Sequence, residues 1–284
     1  MFGRKAWGIS ALAIIGIISL LQPADARSLQ EILASKKIRL GTVAYPPMTQ
    51  IDSKTGNLTG IWVDGPKFMF KQMGLDVEFV EVKWATFASA LQSSQIDVFV
   101  GGSFATPKRS LALDFSRPVM YMGHSIAVRK EDASKFKSIA DIDKEGITVA
   151  TVLGSSGHEY AKEHFTKATI KALDTGDLTA GALDVLAGRS DAAIQDSFKI
   201  AQVVNLHRDQ LVNVFENNPF HLVFVSYAVS RNNSALLQLI NTSLDWMEST
   251  GKWEDLAKPY GSQLAGVYFT RPTYKPFGGP AAKD

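Results

Sequence analysis

The sequence predicts an α/β protein of two lobes joined by two hinge crossings, with a cleft between the lobes. Three observations predict it. Short apolar runs alternate with amphipathic stretches almost from end to end. The order strand, glycine-rich turn, helix, strand, helix, strand occurs twice, without obvious identity between the copies, so that each lobe is expected to hold its own sheet. Two apolar extended segments, 125–128 and 222–229, run between the halves with no linker-like composition, which suits a hinge better than a tether. The predicted division is residues 27–121 with 226–284 in lobe 1 and 122–225 in lobe 2.

In the first copy, 38–43 reads as a strand. Residues 58–63 form a turn entering a helix that runs to Met73, and 77–82 is a strand. A helix holds Phe87-Ala88-Ser89-Ala90-Leu91, and the continuous apolar run 96–100 is a buried strand. In the second copy, 147–152 is a strand, Gly154-Ser155-Ser156-Gly157 is a turn, and a helix follows to Phe165. Residues 170–173 are a strand, 178–186 a helix closed by Gly188, and 192–194 a strand. The tail from Leu264, with Pro272, Pro276 and Pro280, is expected to be extended or partly disordered.

The N-terminus reads as a targeting segment. Met1-Phe2-Gly3-Arg4-Lys5 is short and basic, an apolar run follows to Leu21, and Ala24-Asp25-Ala26 is an A-x-A cleavage signature. The apolar run approaches the length of a membrane span, but it contains Gly8 and Gly16 and leads straight into that tripeptide. Residues 1–26 are therefore read as a signal peptide removed on export to the periplasm, with the mature chain starting at Arg27. Excision takes away two cations, Arg4 and Lys5, and one acid, Asp25, lowering the formal charge from +2 to +1. The chain has no cysteine, which excludes disulfides, thiolate metal sites and a lipid-anchoring cysteine. No basic stripe of the kind nucleic acid requires is present.

One stretch carries an electrostatic oddity. In 101–110, Gly101 and Gly102 end the apolar run, Ser103 and Phe104 follow, and Thr106-Pro107 opens what reads as a helix. Arg109 falls in its first turn, where the helix already carries partial positive charge. A bound anion reconciles the two. A guanidinium forks onto a carboxylate through two charge-assisted hydrogen bonds, and a helix N-terminus adds N–H groups for the same anion.

Several motifs, in order, resemble the bacterial extracellular solute-binding proteins of the amino-acid-binding family. Tyr45-Pro46-Pro47-Met48 is similar to Y-x-P-F, Leu58 to Asp64 to L-x-G-F-D-V-D, and Trp84 with 90–97 to W…A-L-Q-S-G-K-I-D. Thr106-Pro107-Lys108-Arg109 and Asp114-Phe115-Ser116 match T-P-E-R…D-F-S. In the second copy, Gly154-Ser155-Ser156 and 188–196 fit G-[ST]-[ST] and G-x-x-D-A-x-x-x-D. The resemblance implies the periplasmic-binding-protein fold: a monomer that closes around a small amino acid or carboxylate and hands it to the membrane permease of an ABC transporter, without cofactor or metal. It further implies that Arg109 grips the ligand's α-carboxylate with Gly102 and Ser103 nearby, and that Ser155 and Ser156 add hydroxyl and backbone donors. By the same resemblance Asp196 meets the α-ammonium, and Tyr45 and Trp84 sandwich the side chain. Asp196 is also placed to cap the helix beginning at Ser197, the plainer role for an Asp there. Asp191 is read as structural, and Trp62, Trp246 and Trp253 as packing.

The departures bear on specificity. Phe104 stands where the family usually has Thr or Ser, and Trp62 where an acid is common; with Tyr45 and Trp84, Phe104 suggests an apolar or aromatic ligand side chain. Two other readings stay open: an accessory or sensor protein with a degenerate site, and a cyclohexadienyl-dehydratase-like enzyme. The enzyme's glutamate would fall at His158, with Glu159 one step further and, at about 100° per residue, expected to point elsewhere. The chain is therefore read as a binding protein rather than an enzyme. No H-E-x-x-H spacing or G-x-S-x-G elbow occurs.

Overall fold

The computed structural model describes residues 26–216 and 220–263. The segment expected to be a signal peptide, apart from Ala26, and the tail from Leu264 lie outside them. The chain begins with α1 (Leu29–Ser35), whose N-terminus Ser28 closes by a capping box with Glu31. There follow β1 (Lys37–Thr42), the short pair β2 (Gln50–Ile51) and β3 (Leu58–Thr59), α2 (Ile61–Gln72), β4 (Asp76–Glu81), α3 (Phe87–Gln92), β5 (Val98–Phe104), β6 (Leu113–Phe115) and β7 (Met120–Arg129). The second half holds α4 (Ile139–Ile142), β8 (Thr148–Val152), α5 (Ser156–His164), β9 (Thr169–Leu173), α6 (Ala180–Leu186), β10 (Ala192–Asp196), α7 (Ser197–Leu206) and β11 (Leu211–Asn213). β12 (Phe220–Ser230) returns to the first half, where α8 (Ser234–Ser249) and α9 (Lys252–Ala257) pack.

Two expectations need correction here. Instead of one sheet per lobe, a single sheet runs through both, in the order β4-β1-β5-β12-β7-β10-β8-β9. The long strands β7 and β12 pair antiparallel with each other. β12 also pairs with β5 of the first half, and β7 with β10 of the second. These are the two crossings expected at 125–128 and 222–229; being hydrogen-bonded neighbours, they stitch the two half-sheets into one. Second, Thr106-Pro107 does not open an α-helix. Arg109–Leu111 is one 3₁₀ turn, and the chain passes straight into β6. The Thr106 hydroxyl does accept the Arg109 N–H at 3.2 Å, but so short a turn has no helix dipole to lend an anion.

Burial explains the rest. Every residue of β5 is buried, as a strand covered on both faces requires. In the second half the period of two sorts residues by size. Ile126, Val128, Val149, Ala192 and Ile194 face one core, with Ala161 and Phe165. Ala127, Ala150 and Ala193 face another, where their small side chains let α6 and α7 lie close to the sheet. The core of the first half is larger and includes Val152, Leu178 and Phe198 from the second half, packed with Tyr45, Trp62 and Trp84. The two lobes thus share apolar contacts across the cleft, which is closed. Behind β5, Asp97 accepts the Arg39 N–H at 2.8 Å and pairs with the guanidinium groups of Arg39 and Arg27. The residue predicted to begin the mature chain is thereby fastened to the sheet. Among the described residues, no helix is long and apolar enough to cross a membrane.

Candidate ligand cleft

The cleft is built where β5, the loop after β1 and the start of α2 meet the N-termini of α5 and α7. Arg109 is 8% exposed. Its Nε donates to the Glu159 carboxylate at 3.0 Å, Nη1 to Ser103 Oγ at 2.8 Å and the Phe104 carbonyl at 3.2 Å, and Nη2 to the Gly154 carbonyl at 3.0 Å. Two of these partners, Glu159 and Gly154, belong to the opposite lobe. Ser103 thus orients Arg109 from behind.

Opposite it, Tyr45 is buried and donates its hydroxyl to Asp196 Oδ1 at 2.8 Å, again from one lobe to the other. The same oxygen accepts the Lys199 backbone N–H at 2.8 Å, so Asp196 is the cap of α7 as well as a cleft residue. Lys199 Nζ bonds the Pro46 carbonyl at 2.6 Å and sits 4.1 Å from the centre of the Tyr45 ring. Burial sets the electrostatics. It raises the pKa of Asp196 against the hydrogen bonds it accepts, and lowers Lys199 to about 8 in spite of Asp196. Tyr45 is pushed well up by burial and then by the Asp196 charge.

Of the expected residues, Tyr45, Trp84, Gly102, Phe104, Arg109, Ser155 and Ser156 line one cavity of about 10 Å³. Ser103 stands behind Arg109, and Asp196 behind Tyr45. Ser155 also caps α5, accepting the His158 N–H at 3.2 Å. Gly102 is required here: its φ is +76°, and a Cβ would lie 2.3 Å from the Trp62 ring. Trp62 thus reaches the cavity across a bare strand position and is a lining residue rather than plain packing. It stacks obliquely on Tyr45 with centroids 4.6 Å apart. Met122, Leu178 and Gln195 complete the wall.

Glu159 also departs from expectation. His158 turns back so that its Nδ1 accepts the Gly154 N–H at 3.2 Å, and Glu159 is the side chain that faces Arg109. Asp191 is structural as read, accepting the Thr148 N–H at 2.8 Å. Beyond Phe104 and Ser156 a second cavity of about 100 Å³ opens, walled by His124, Tyr160, Glu163 and His221. Its histidines show no metal-ligand spacing in the sequence, so nothing there marks them as cavity residues. Among the described residues no group of three His, Cys, Asp or Glu could hold a metal ion.

With this geometry in place, comparison with known proteins gives a consistent answer. Residues 38–263 match the family described as bacterial extracellular solute-binding proteins, family 3. The chain is 25% identical over 260 residues to the L-cystine-binding protein TcyJ of Escherichia coli (strain K12), covering 91% of this chain and 95% of that protein. It is 30% identical over 227 residues to the arginine-binding extracellular protein ArtP of Bacillus subtilis (strain 168), covering 79% and 86%. Among solved structures it resembles the ancestral amino acid-binding protein AncCDT-1, a precursor of cyclohexadienyl dehydratase. The TM-score there is 0.71 and the identity 32%, covering 81% of this chain and 98% of that one. A two-lobed α/β fold hinged on paired strands, matched over most of its length by these relatives, makes this chain a member of the bacterial extracellular solute-binding proteins, family 3.

Proposed function

We propose that this protein captures an amino acid or a related small carboxylate between its lobes in the periplasm and delivers it to the permease of an ABC transporter. The observation that carries this reading is the buried Arg109 guanidinium lining the cavity between the lobes of a family member. Lobe 1 (27–121 with 226–284) presents Arg109, Tyr45, Trp62 and Trp84. Lobe 2 (122–225) brings Ser155, Ser156 and Asp196 from the other side. A ligand touching both lobes binds the closed form better, and only that difference shifts the equilibrium. Export by a signal peptide cleaved after Ala26, a monomeric state and a binding rather than catalytic role belong to the same reading.

The lobes also hold each other directly, through Arg109 with Glu159 and Gly154, Tyr45 with Asp196, and Lys199 with Pro46. A carboxylate ligand competes with Glu159 for Arg109. Glu159, whose side chain is 26% exposed, is the partner free to turn to water. Glu159→Gln is therefore expected to tighten carboxylate binding about tenfold, the worth of a hydrogen bond between charged groups at the low end of its range. Titration calorimetry on the mature protein checks it, and unchanged affinity would remove Glu159 from the cleft's energetics.

The general test is thermal unfolding of protein refolded free of carried-over solute, against amino acids and small carboxylates. A ligand at one hundred times its dissociation constant adds about 2.7 kcal/mol. One observation favours a second reading, an accessory protein with a degenerate site: Arg109 and Asp196 both have partners within the chain. Silence across the panel would favour that reading over capture. Turnover of a cyclohexadienyl acid would instead select the enzyme.

A further inference from the structure

We infer that the head group this cleft takes is an acceptor-rich carboxylate without an α-ammonium, of the 2-oxo or 2-hydroxy acid class. The inference rests on the capture reading above and names its ligand.

Two halves of the site carry it. The half that would receive an ammonium is already partly occupied by the chain. Asp196 Oδ1 is taken by the Tyr45 hydroxyl and the Lys199 N–H, and Asp196 is not among the residues that line the cavity. The Lys199 ammonium lies over the Tyr45 ring, on the Pro46 carbonyl, and its charge and that of Asp196 stabilise one another. An incoming ammonium would have to approach Asp196 beside the like charge of Lys199, with one carboxylate oxygen already engaged. The other carboxylate at the cleft, Glu159, is engaged by Arg109.

The half that lines the cavity includes three donors without partners. Trp62 Nε1, Trp84 Nε1 and Gln195 Nε2 are all buried and make no hydrogen bond, and all three residues line the same cavity. An indole N–H can only donate. A buried donor left unpaired costs about what a lost hydrogen bond costs, so three in one wall mark the place of an acceptor-rich group. An ammonium offers three donors and no acceptor and would set donor against donor. A carboxylate flanked by a carbonyl or hydroxyl oxygen offers acceptors to the indoles, to Gln195 and to Arg109 together. Phe104 and Ser156 join this cavity to the larger one, where the rings of Tyr160, His124 and His221 share the wall with the charged Lys108, Glu159 and Glu163.

The experiment is titration calorimetry of the refolded mature protein with matched triads: phenylalanine, phenylpyruvate and phenyllactate; leucine and its 2-oxo and 2-hydroxy analogues; alanine, pyruvate and lactate. In the triad that binds, the 2-oxo or 2-hydroxy acid is expected to bind at least about tenfold tighter than the amino acid. Trp84→Phe, which keeps a ring and removes the donor, should weaken that acid about tenfold, a hydrogen bond to a charged group. Lys199→Met should move the preference back toward the amine. Tighter binding of the amino acid, with Trp84→Phe neutral, overturns this inference and leaves the capture reading standing. Silence with every triad overturns both. Trp62→Phe, tested in the same way, covers the case in which Trp84→Phe fails to fold.

Discussion

Arg109→Ala is expected to lose most of the affinity for any carboxylate the cleft captures, by about 2–5 kcal/mol, as for one partner of a buried hydrogen-bonded charge pair. That is roughly thirty- to several-thousand-fold in dissociation constant. The effect has two parts. The ligand loses a planar, forked donor that no other cleft residue supplies. The closed form loses the Nη2 bond to the Gly154 carbonyl and the Nε bond to Glu159, both of which cross between lobes. The variant should still fold, because Ser103 is a small hydroxyl and Glu159 can turn its carboxylate to water. Arg109→Lys separates the parts: it restores the charge without the fork and should recover only a fraction of the loss. Calorimetry on both variants decides it, and wild-type affinity in Arg109→Ala would take Arg109 out of the binding site.

How much of this was legible in the sequence depends on what each feature needs in order to be seen. The strands around Val98-Phe99-Val100 and Thr148-Val149-Ala150 showed in their apolar runs, because burial on both faces leaves a local signature. The merging of two half-sheets through β7 and β12 did not, since a pattern records which residues are buried and not which strand lies alongside. The helix expected after Thr106-Pro107 rested on a start signal alone. Leu111, Leu113 and Phe115 follow with a period of two, and the chain enters β6 after one turn. Trp62 reads as a helix residue, and only the missing side chain at Gly102, two strands away in sequence, gives its ring a path to the cleft. Glu159 was misjudged on rotation. A cleft-facing residue at position 158 would turn position 159 away by about 100°, but the His158 ring folds back on the Gly154 N–H and yields the place to its neighbour.

Acidification is expected to destabilise the protein through His124, on the hinge strand β7. The ring is 2% exposed and neither nitrogen makes a hydrogen bond of ordinary geometry. Phe104 packs against it at 5.2 Å, Tyr160 and His221 at 5.4 Å, and Phe220 at 6.1 Å between centroids. Burial, then the fields of His221 and Arg109, hold its pKa at about 3, and the main chains of His221 and Ser156 oppose this without outweighing it. In the unfolded chain it titrates near 6.5. The unfolded state therefore binds the extra proton between these values, and stability present in full above pH 6.5 is lost as pH falls from 6.5 toward 3. Each unit is worth about 1.4 kcal/mol, so unfolding in urea at pH 4.5 should show about 3 kcal/mol less stability from this ring than at pH 7.5. Asp196, whose pKa burial raises, works in the opposite direction, and His158 and His221, lowered but only partly buried, add to the loss. Their contributions are common to both proteins when His124→Phe is compared with the wild type. That variant keeps an aromatic ring at the hinge and removes the titration, so its stability should fall less between the two pH values by about the His124 share. Parallel pH profiles for the two proteins would show that the His124 ring opens to solvent at no cost, and that its burial does not hold the closed hinge.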